Sequence, residues 1–362
     1  MNVEARSPKH GRDLVVRASD VLSHLDLVIR HSSCWLDLAT VIDKRFSMHP
    51  KLWFTRHARQ YGPLLALVGL ALVLWILTPH FLTVSNLLNV AEQTTIIAIV
   101  AVGMTWVIIS GGIDLSVGSL VAFSGVVMAS LLHAGWPLPT ALLAGLSTGM
   151  ALGMLNGFLI TRGSLPPFIA TLGMMSVARG AALMFTDGRP VSGFSESFRI
   201  LSTGDVLHIP NPVLIMALVY GLSHILLTKT QFGRYVYAIG GNEEAAILSG
   251  INVRRIKLLV YGQCGMLSGL AAVLLTARLN SAQPIAGVMY ELDAIAATVI
   301  GGTSLLGGEG TIVGTLIGAL IIGVLRNGLN LLGTPSFTQQ VVIGSVIIVS
   351  VLLDMGLRKR QR

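Results

Sequence analysis

The run LLALVGLALVLWIL at residues 64–77 sets the terms for the whole chain. It carries no charge, and runs like it recur almost to the C-terminus. From Tyr61 onward ten apolar segments can be read, at about 61–79, 94–110, 118–134, 138–160, 167–186, 212–228, 257–278, 291–306, 311–327 and 336–354. A helix of about 20 apolar residues crosses the ~30 Å hydrocarbon layer, and helices satisfy their own backbone groups there. The expected fold class is therefore an all-α integral membrane protein of about ten transmembrane helices, some broken or short, with eight crossings as the next choice. The rival is a large buried α core, and it needs a polar shell. Only 12% of the residues are charged and mean hydropathy is +0.75, against about 25% charged in soluble domains.

The charges that remain are ordered. Ten of the 25 Lys and Arg lie in residues 1–60, and most others flank apolar runs. Arg56 and Arg59 precede the first segment, and Arg162 follows the fourth. Lys229, Arg234, Arg254, Arg255 and Lys257 fall between the sixth and seventh, and Arg358, Lys359, Arg360 and Arg362 follow the tenth. The positive-inside rule then places both termini in the cytoplasm. It leaves 187–211 and 279–290 on the opposite face. This spacing is not a nucleic-acid patch.

Residues 1–47 form an N-terminal extension, read either as an amphipathic surface helix or as a mis-called start ahead of Met48. They lack the apolar core and cleavage site of a secretory leader, so no signal peptide is expected. Residues 48–60 read as a cytoplasmic juxtamembrane segment, 61–356 as the transmembrane domain and 357–362 as a basic tail. Cys34 and Cys264 are too few for a disulfide framework or metal site. No phosphate-binding loop, zinc motif or nucleophile elbow occurs, so neither an enzyme nor a cofactor is expected.

Glycine supplies the second pattern, 40 residues of it. Gly145, Gly149, Gly153 and Gly157 repeat every four residues, as do Gly310, Gly314 and Gly318. Such stripes let helix backbones approach in lipid, either within one chain or between subunits. GGIDLSVGSLVAFSG (111–125) and GGTSLLGGEGTIVGTLIG (301–318) resemble each other and fall at segment breaks, a pattern associated with transport pathways. Asp114, Glu291 and Asp293 are acids beside apolar runs, costly at membrane depth unless paired or wet. Asp114 with Ser116 reads as a helix cap or as part of a pathway, and Asp293 as a helix start. All three stand at segment ends, whereas a proton-coupled carrier wants an isolated mid-helix acid.

The most polar insert, YAIGGNEEAAILSGINVRRIK (237–257), contains one short helix. Asn242 suits its N-cap, Glu243 and Glu244 its first turn and Gly250 its end. So short a helix is unstable alone in water, so it docks on a partner or on its own protein.

That insert resembles the cytoplasmic loop of permease subunits of ribose-type ABC sugar importers. SGGIDLSVGS, NGFLITRGSLPPFIATLGMMSVARG and ELDAIAATVIGGTSLLGGEGTIVG agree in order and spacing, over roughly residues 62–355. The resemblance implies a homodimer in the bacterial inner membrane, a separate cytoplasmic ABC ATPase and a periplasmic sugar-binding protein. Gly240, Gly241, Asn242, Glu243, Ala245, Ala246 and Gly250 match the family's ATPase-docking motif, with Ala245, Ala246 and Gly250 expected to fit a cleft. Gly112, Asp114, Ser116 and Gly118 match its first signature, and Glu291, Asp293, Gly301 and Gly302 its second, both expected in the pathway. Substrates within the resemblance are ribose, another pentose, a hexose, a polyol or autoinducer-2. An ion-driven secondary carrier is the alternative class.

Overall fold

The computed structural model describes residues 50–359, and the packing below lies within the unit Arg59–Arg362. Residues 1–49, with the expected extension and Cys34, lie outside the described residues, as do 360–362.

Every apolar segment is helical. In chain order these are α1 (Pro50–Leu77), α2 (Val84–Ile109), α3 (Val117–His133), α4 (Leu138–Thr161), α5 (Pro167–Thr186), α7 (Asn211–Lys229), α10 (Val253–Leu279), α11 (Tyr290–Ile300), α12 (Ile312–Leu331) and α13 (Ser336–Lys359). Three short helices lie in the polar gaps: α6 (Glu196–Thr203), α8 (Gln231–Gly241) and α9 (Glu243–Leu248). Their starts follow local chemistry. Thr83, Thr230, Asn242, Asn252 and Thr311 each accept a first-turn N–H on the side chain, and α4, α5 and α7 carry Pro in the first two positions, where no N–H partner is lost.

Among the described helices six are long and apolar enough to span a membrane: α2, α4, α5, α7, α10 and α12. Gly62–Leu77, α3 and Ser336–Val349 are shorter apolar helices. The eighth segment was expected over 291–306, but its helix ends at Ile300. At 11 residues α11 rises about 16 Å, roughly half the hydrocarbon thickness.

From Ile96 onward α2 is apolar nearly all round and forms the centre, buried continuously from Thr94 to Ser110, as such a helix must be. α10 lies against it, Gly103 meeting Cys264. α4 then packs on α10 through the glycine stripe. A Cβ on Gly149 would overlap the Gly265 carbonyl, one on Gly153 the Tyr261 carbonyl, and one on Gly157 would sit 2.8 Å from the Leu258 Cα. Gly145 faces Met128 on α3. The stripe is therefore used within one chain, and the intersubunit reading of it fails. The second stripe is likewise internal, Gly314 meeting Gly301 and Gly318 meeting Ala297.

The two gaps expected on one face do meet. Strand β1 (Val191–Ser192) pairs antiparallel with β4 (Ser281–Ala282), Val191 opposite Ala282. β2 (Asp205–Val206) and β3 (Ile209–Pro210) close a small hairpin beside them.

Candidate functional site

Three sequence signatures far apart in the chain converge at the end of α2. Gly240, near the end of α8, packs so closely on the Ile109 carbonyl that any Cβ would overlap it, and the Gly308 nitrogen lies 2.6 Å from the same point. Gly308 donates its N–H to the Ile109 carbonyl at 2.9 Å. Gly307 lies against Gly111 and the Gly240 carbonyl. Gly307 and Gly308 hold φ of +86° and +72°, the left-handed region where glycine alone carries no Cβ penalty. Tyr237 Oη donates to the Gly310 carbonyl at 2.6 Å, closing the junction, and burial raises that phenol above its ordinary value, keeping it a donor. This glycine junction joins the ends of α2 and α8 to the loop before α12.

Helix α9 leaves directly from it. Asn242 Oδ1 accepts the Ala245 N–H at 2.9 Å, Gly250 ends the turn at φ +81°, and Lys257 pairs with Glu243 at 2.6 Å. The expected cap and stop are both present. Of the residues expected to fit a cleft, one faces inward. Ala246 is buried in the chain's own core and Gly240 is locked in the junction, so neither is available to a partner. Exposed are Ala245, Gly241 and two apolar residues that helical spacing in NEEAAILSGINV already places on this helix, Ile247 at 57% and Leu248 at 89% exposure. A six-residue helix cannot present all sides: one anchor residue must point inward, and Ala246 is it.

The first signature then runs from the junction into the bundle. Gly112 packs on the Tyr261 hydroxyl of α10. Asp114 is fully buried; its Oδ1 accepts both the Ser116 N–H at 2.9 Å and the Ser116 hydroxyl at 2.6 Å. Ser116 Oγ accepts from Asn156 Nδ2 of α4 at 2.9 Å. The helix N-cap is Ser116 itself, so Asp114 braces the turn into α3 rather than capping it. Asp114 Oδ2, Asn156 Oδ1 and Tyr261 Oη have no hydrogen-bond partner among the described residues.

The second signature meets the first there. A Cβ on Gly118 would overlap the Gly287 carbonyl and lie 2.7 Å from Glu291 Oε2. Glu291 and Asp293 stand in the first turn of α11. Asp293 accepts from Arg326 of α12 at 2.9 Å. Arg179 of α5 donates to the carbonyls of Pro284 and Ala286 at 2.9 and 2.6 Å and lies near enough to Glu291 to interact with its charge. The acids do stand at helix ends, as expected, but those ends start inside the bundle, because α3 and α11 are short. Gly301 and Gly302 close the far end of α11, Gly301 against Gly314.

The sequence reading missed Arg179 and Arg326, both inside apolar runs. The signal was available: a lone cation in such a run is a functional candidate by the same rule applied to the acids. Asn156 and Tyr261 gave no comparable signal. Groups of His, Cys, Asp and Glu able to hold a metal are absent among the described residues.

Spanning helices, a short α3 and a half-length α11 starting within the bundle, and the Asp293–Arg326 ion pair at the start of α11 define a multi-pass helical membrane protein of transport type. The comparisons narrow this. The family described as "Branched-chain amino acid transport system / permease component" matches residues 86–351, and the chain belongs to that family. The ribose import permease protein RbsC of Bacillus subtilis is 51% identical over 306 residues, 84% of this chain and 95% of that protein. RbsC of Escherichia coli K12 is 50% identical over 295 residues, 80% and 92% of the two chains. The D-allose transport system permease protein AlsC of Escherichia coli K12 is 40% identical over 302 residues, 83% and 93%. No solved structure matches the chain significantly.

Proposed function

We propose that this chain is the membrane permease subunit of an ATP-driven importer that moves ribose or a related monosaccharide into the cytoplasm. It works as a homodimer in the bacterial inner membrane, with both termini cytoplasmic. A separate ABC ATPase hydrolyses the nucleotide and a periplasmic binding protein delivers the sugar. The chain makes ten passes, the eighth shared between α11 and the 283–289 turn. The sugar assignment rests on the ribose relatives, and the D-allose relative supports a hexose as the second reading.

The observation that carries the mechanism is the continuity of α9 with the glycine junction. The ATPase grips α9 through Ile247 and Leu248. α9 and α8 share Asn242 as cap and stop, so a displaced α9 carries Gly240 with it. Gly240 bears on the Ile109 carbonyl and the Gly308 loop. One of these feeds the Asp114 turn into α3, and the other begins α12 with Arg326. Movement at the ATPase thereby reaches the half-length helix α11, where Glu291 and Asp293 lie. Those acids face Arg179 and Arg326, so they order the pathway and do not shuttle protons.

The test is uptake in proteoliposomes holding this chain, its ATPase and its binding protein, with ATP inside or absent. ATP-dependent accumulation of one sugar supports the reading and names the substrate. Accumulation driven by an ion gradient without ATP overturns it in favour of a secondary carrier.

A further inference from the structure

At the end of α4 and the start of α10 the surface is concave and basic. Arg162, Arg254 and Arg255 surround a pocket of ≈ 410 Å³ whose apolar wall is Phe158 and Leu258. Thr161 and Asn252 add polar groups, and no acid lines it. The three guanidinium groups make no ion pair or side-chain hydrogen bond among the described residues, whereas Lys257 nearby is taken by Glu243. Two of these arginines stand in the first turn of α10, where a cation opposes the helix dipole. The helix gains nothing from them. The positive-inside rule asks for cations at this end but not for their convergence on one pocket.

An apolar groove of ≈ 440 Å³ lies along the same helices. It is lined by Met150 of α4, Leu222 and Leu226 of α7, and Leu259, Met266 and Leu270 of α10. Arg255, Leu259, Met266 and Leu270 are spaced by four, seven and four residues, so they share one face of α10. From Arg255 to Leu270 that face rises about 22 Å, more than the ~15 Å half-thickness of the hydrocarbon layer. A basic cup at a helix end, with an apolar groove about one leaflet deep further along the same α10, matches the head and tail of a phospholipid in charge and length. A second copy of the chain is a poorer occupant, because its own polar rim at this end carries the same positive sign.

We propose that this seam is a binding site for an anionic phospholipid. Its phosphate sits among Arg162, Arg254 and Arg255, and one acyl chain lies along Leu259, Met266 and Leu270. Because Asn252, Arg254 and Arg255 follow directly on α9, the lipid stiffens the root of the helix that the ATPase would grip. The site itself depends only on this end lying at a membrane surface.

The experiment is native mass spectrometry of the full chain, extracted from nanodiscs of equimolar phosphatidylglycerol and phosphatidylethanolamine with identical acyl chains. The wild-type chain should retain phosphatidylglycerol in preference. The Arg254→Gln/Arg255→Gln variant should lose that preference by roughly fivefold per arginine, about 30-fold in all. Arg254→Lys/Arg255→Lys should largely keep it. Met266→Trp should fill the groove and release long-chain lipid without changing headgroup choice. If the glutamine variant does not fold, rising salt must release phosphatidylglycerol from the wild type before phosphatidylethanolamine. Equal retention of the two lipids overturns the proposal. So does displacement by glycerol phosphate, which would mean a site for free phosphate. Unchanged lipid retention in the glutamine variant also overturns it, and a lost dimer or a lost ATPase there would then name the true occupant.

Discussion

Gly240→Ala tests the junction most directly. Gly240 is helical, so alanine brings no backbone strain and raises helix propensity by about 1 kcal/mol. Its Cβ, however, would overlap the Ile109 carbonyl and press on the Gly308 nitrogen at 2.6 Å. Those are backbone atoms, and no side chain can swing away. Overpacking of this kind costs roughly 1–3 kcal/mol. Set against the propensity gain, the net cost is about 0–2 kcal/mol, up to about 30-fold in the population of the closed junction. The protein should remain folded while ATP hydrolysis and sugar uptake separate. Gly241→Ala is the matched control: it adjoins Gly240, belongs to the same helix and gains the same propensity, but its Cβ meets nothing within 4 Å. The assay is moles of sugar accumulated per mole of ATP hydrolysed in proteoliposomes, with the thermal midpoint of the purified chain alongside. If Gly240→Ala and Gly241→Ala give the same ratio and the same midpoint, the junction transmits nothing and the mechanism is wrong.

Leu248→Glu should weaken ATPase binding roughly ten- to hundredfold, the loss of one buried leucine, leave the thermal midpoint unchanged, and be read by co-purification. Ala246→Arg should instead lower the midpoint, because its side chain would enter the chain's own core; an Ala246→Arg protein as stable as wild type would contradict the inward placement. Gly149→Leu should abolish a monodisperse peak in size-exclusion chromatography by forcing α4 off α10, whereas Gly173→Leu, open on all sides, should not. A double-mutant cycle of Asp293→Asn and Arg326→Gln should show coupling of about 1 kcal/mol in thermal stability, nearer the exposed limit than the buried one since the Arg326 side chain is 38% exposed; zero coupling would remove the pair from the pathway architecture.

Much was legible before any fold was known, for reasons of solvent. Runs like 64–77 have no stable place in water, and the placement of cations at their ends is a one-dimensional pattern. The α9 cap, its first-turn acids and its stop at Gly250 are interactions within nine residues, so they read directly from NEEAAILSG. The likeness of 111–125 to 301–318 was visible too. What each motif touches was not. The stripe Gly145–Gly157 declares a close approach in either assembly, and only the packed chain assigns it to α10. α11 looks in sequence like a full segment because apolar residues continue past Ile300, yet the Gly301–Gly302 turn ends the helix. Ala246 and Leu248 are both apolar neighbours on one short helix; which faces inward depends on the direction in which α8 delivers it. Ser116, which Asp114 braces, gained Asn156, and Asp293 gained Arg326, from helices tens of residues away in the chain. Solvent preference and local hydrogen bonding are properties of a stretch of chain, so the sequence alone determined membrane class, element positions and the presence of a presented helix. Pairings across helices depend on the relative position of whole elements, so only the tertiary structure decided that three glycine signatures form one joint and that Asp293 is matched to Arg326.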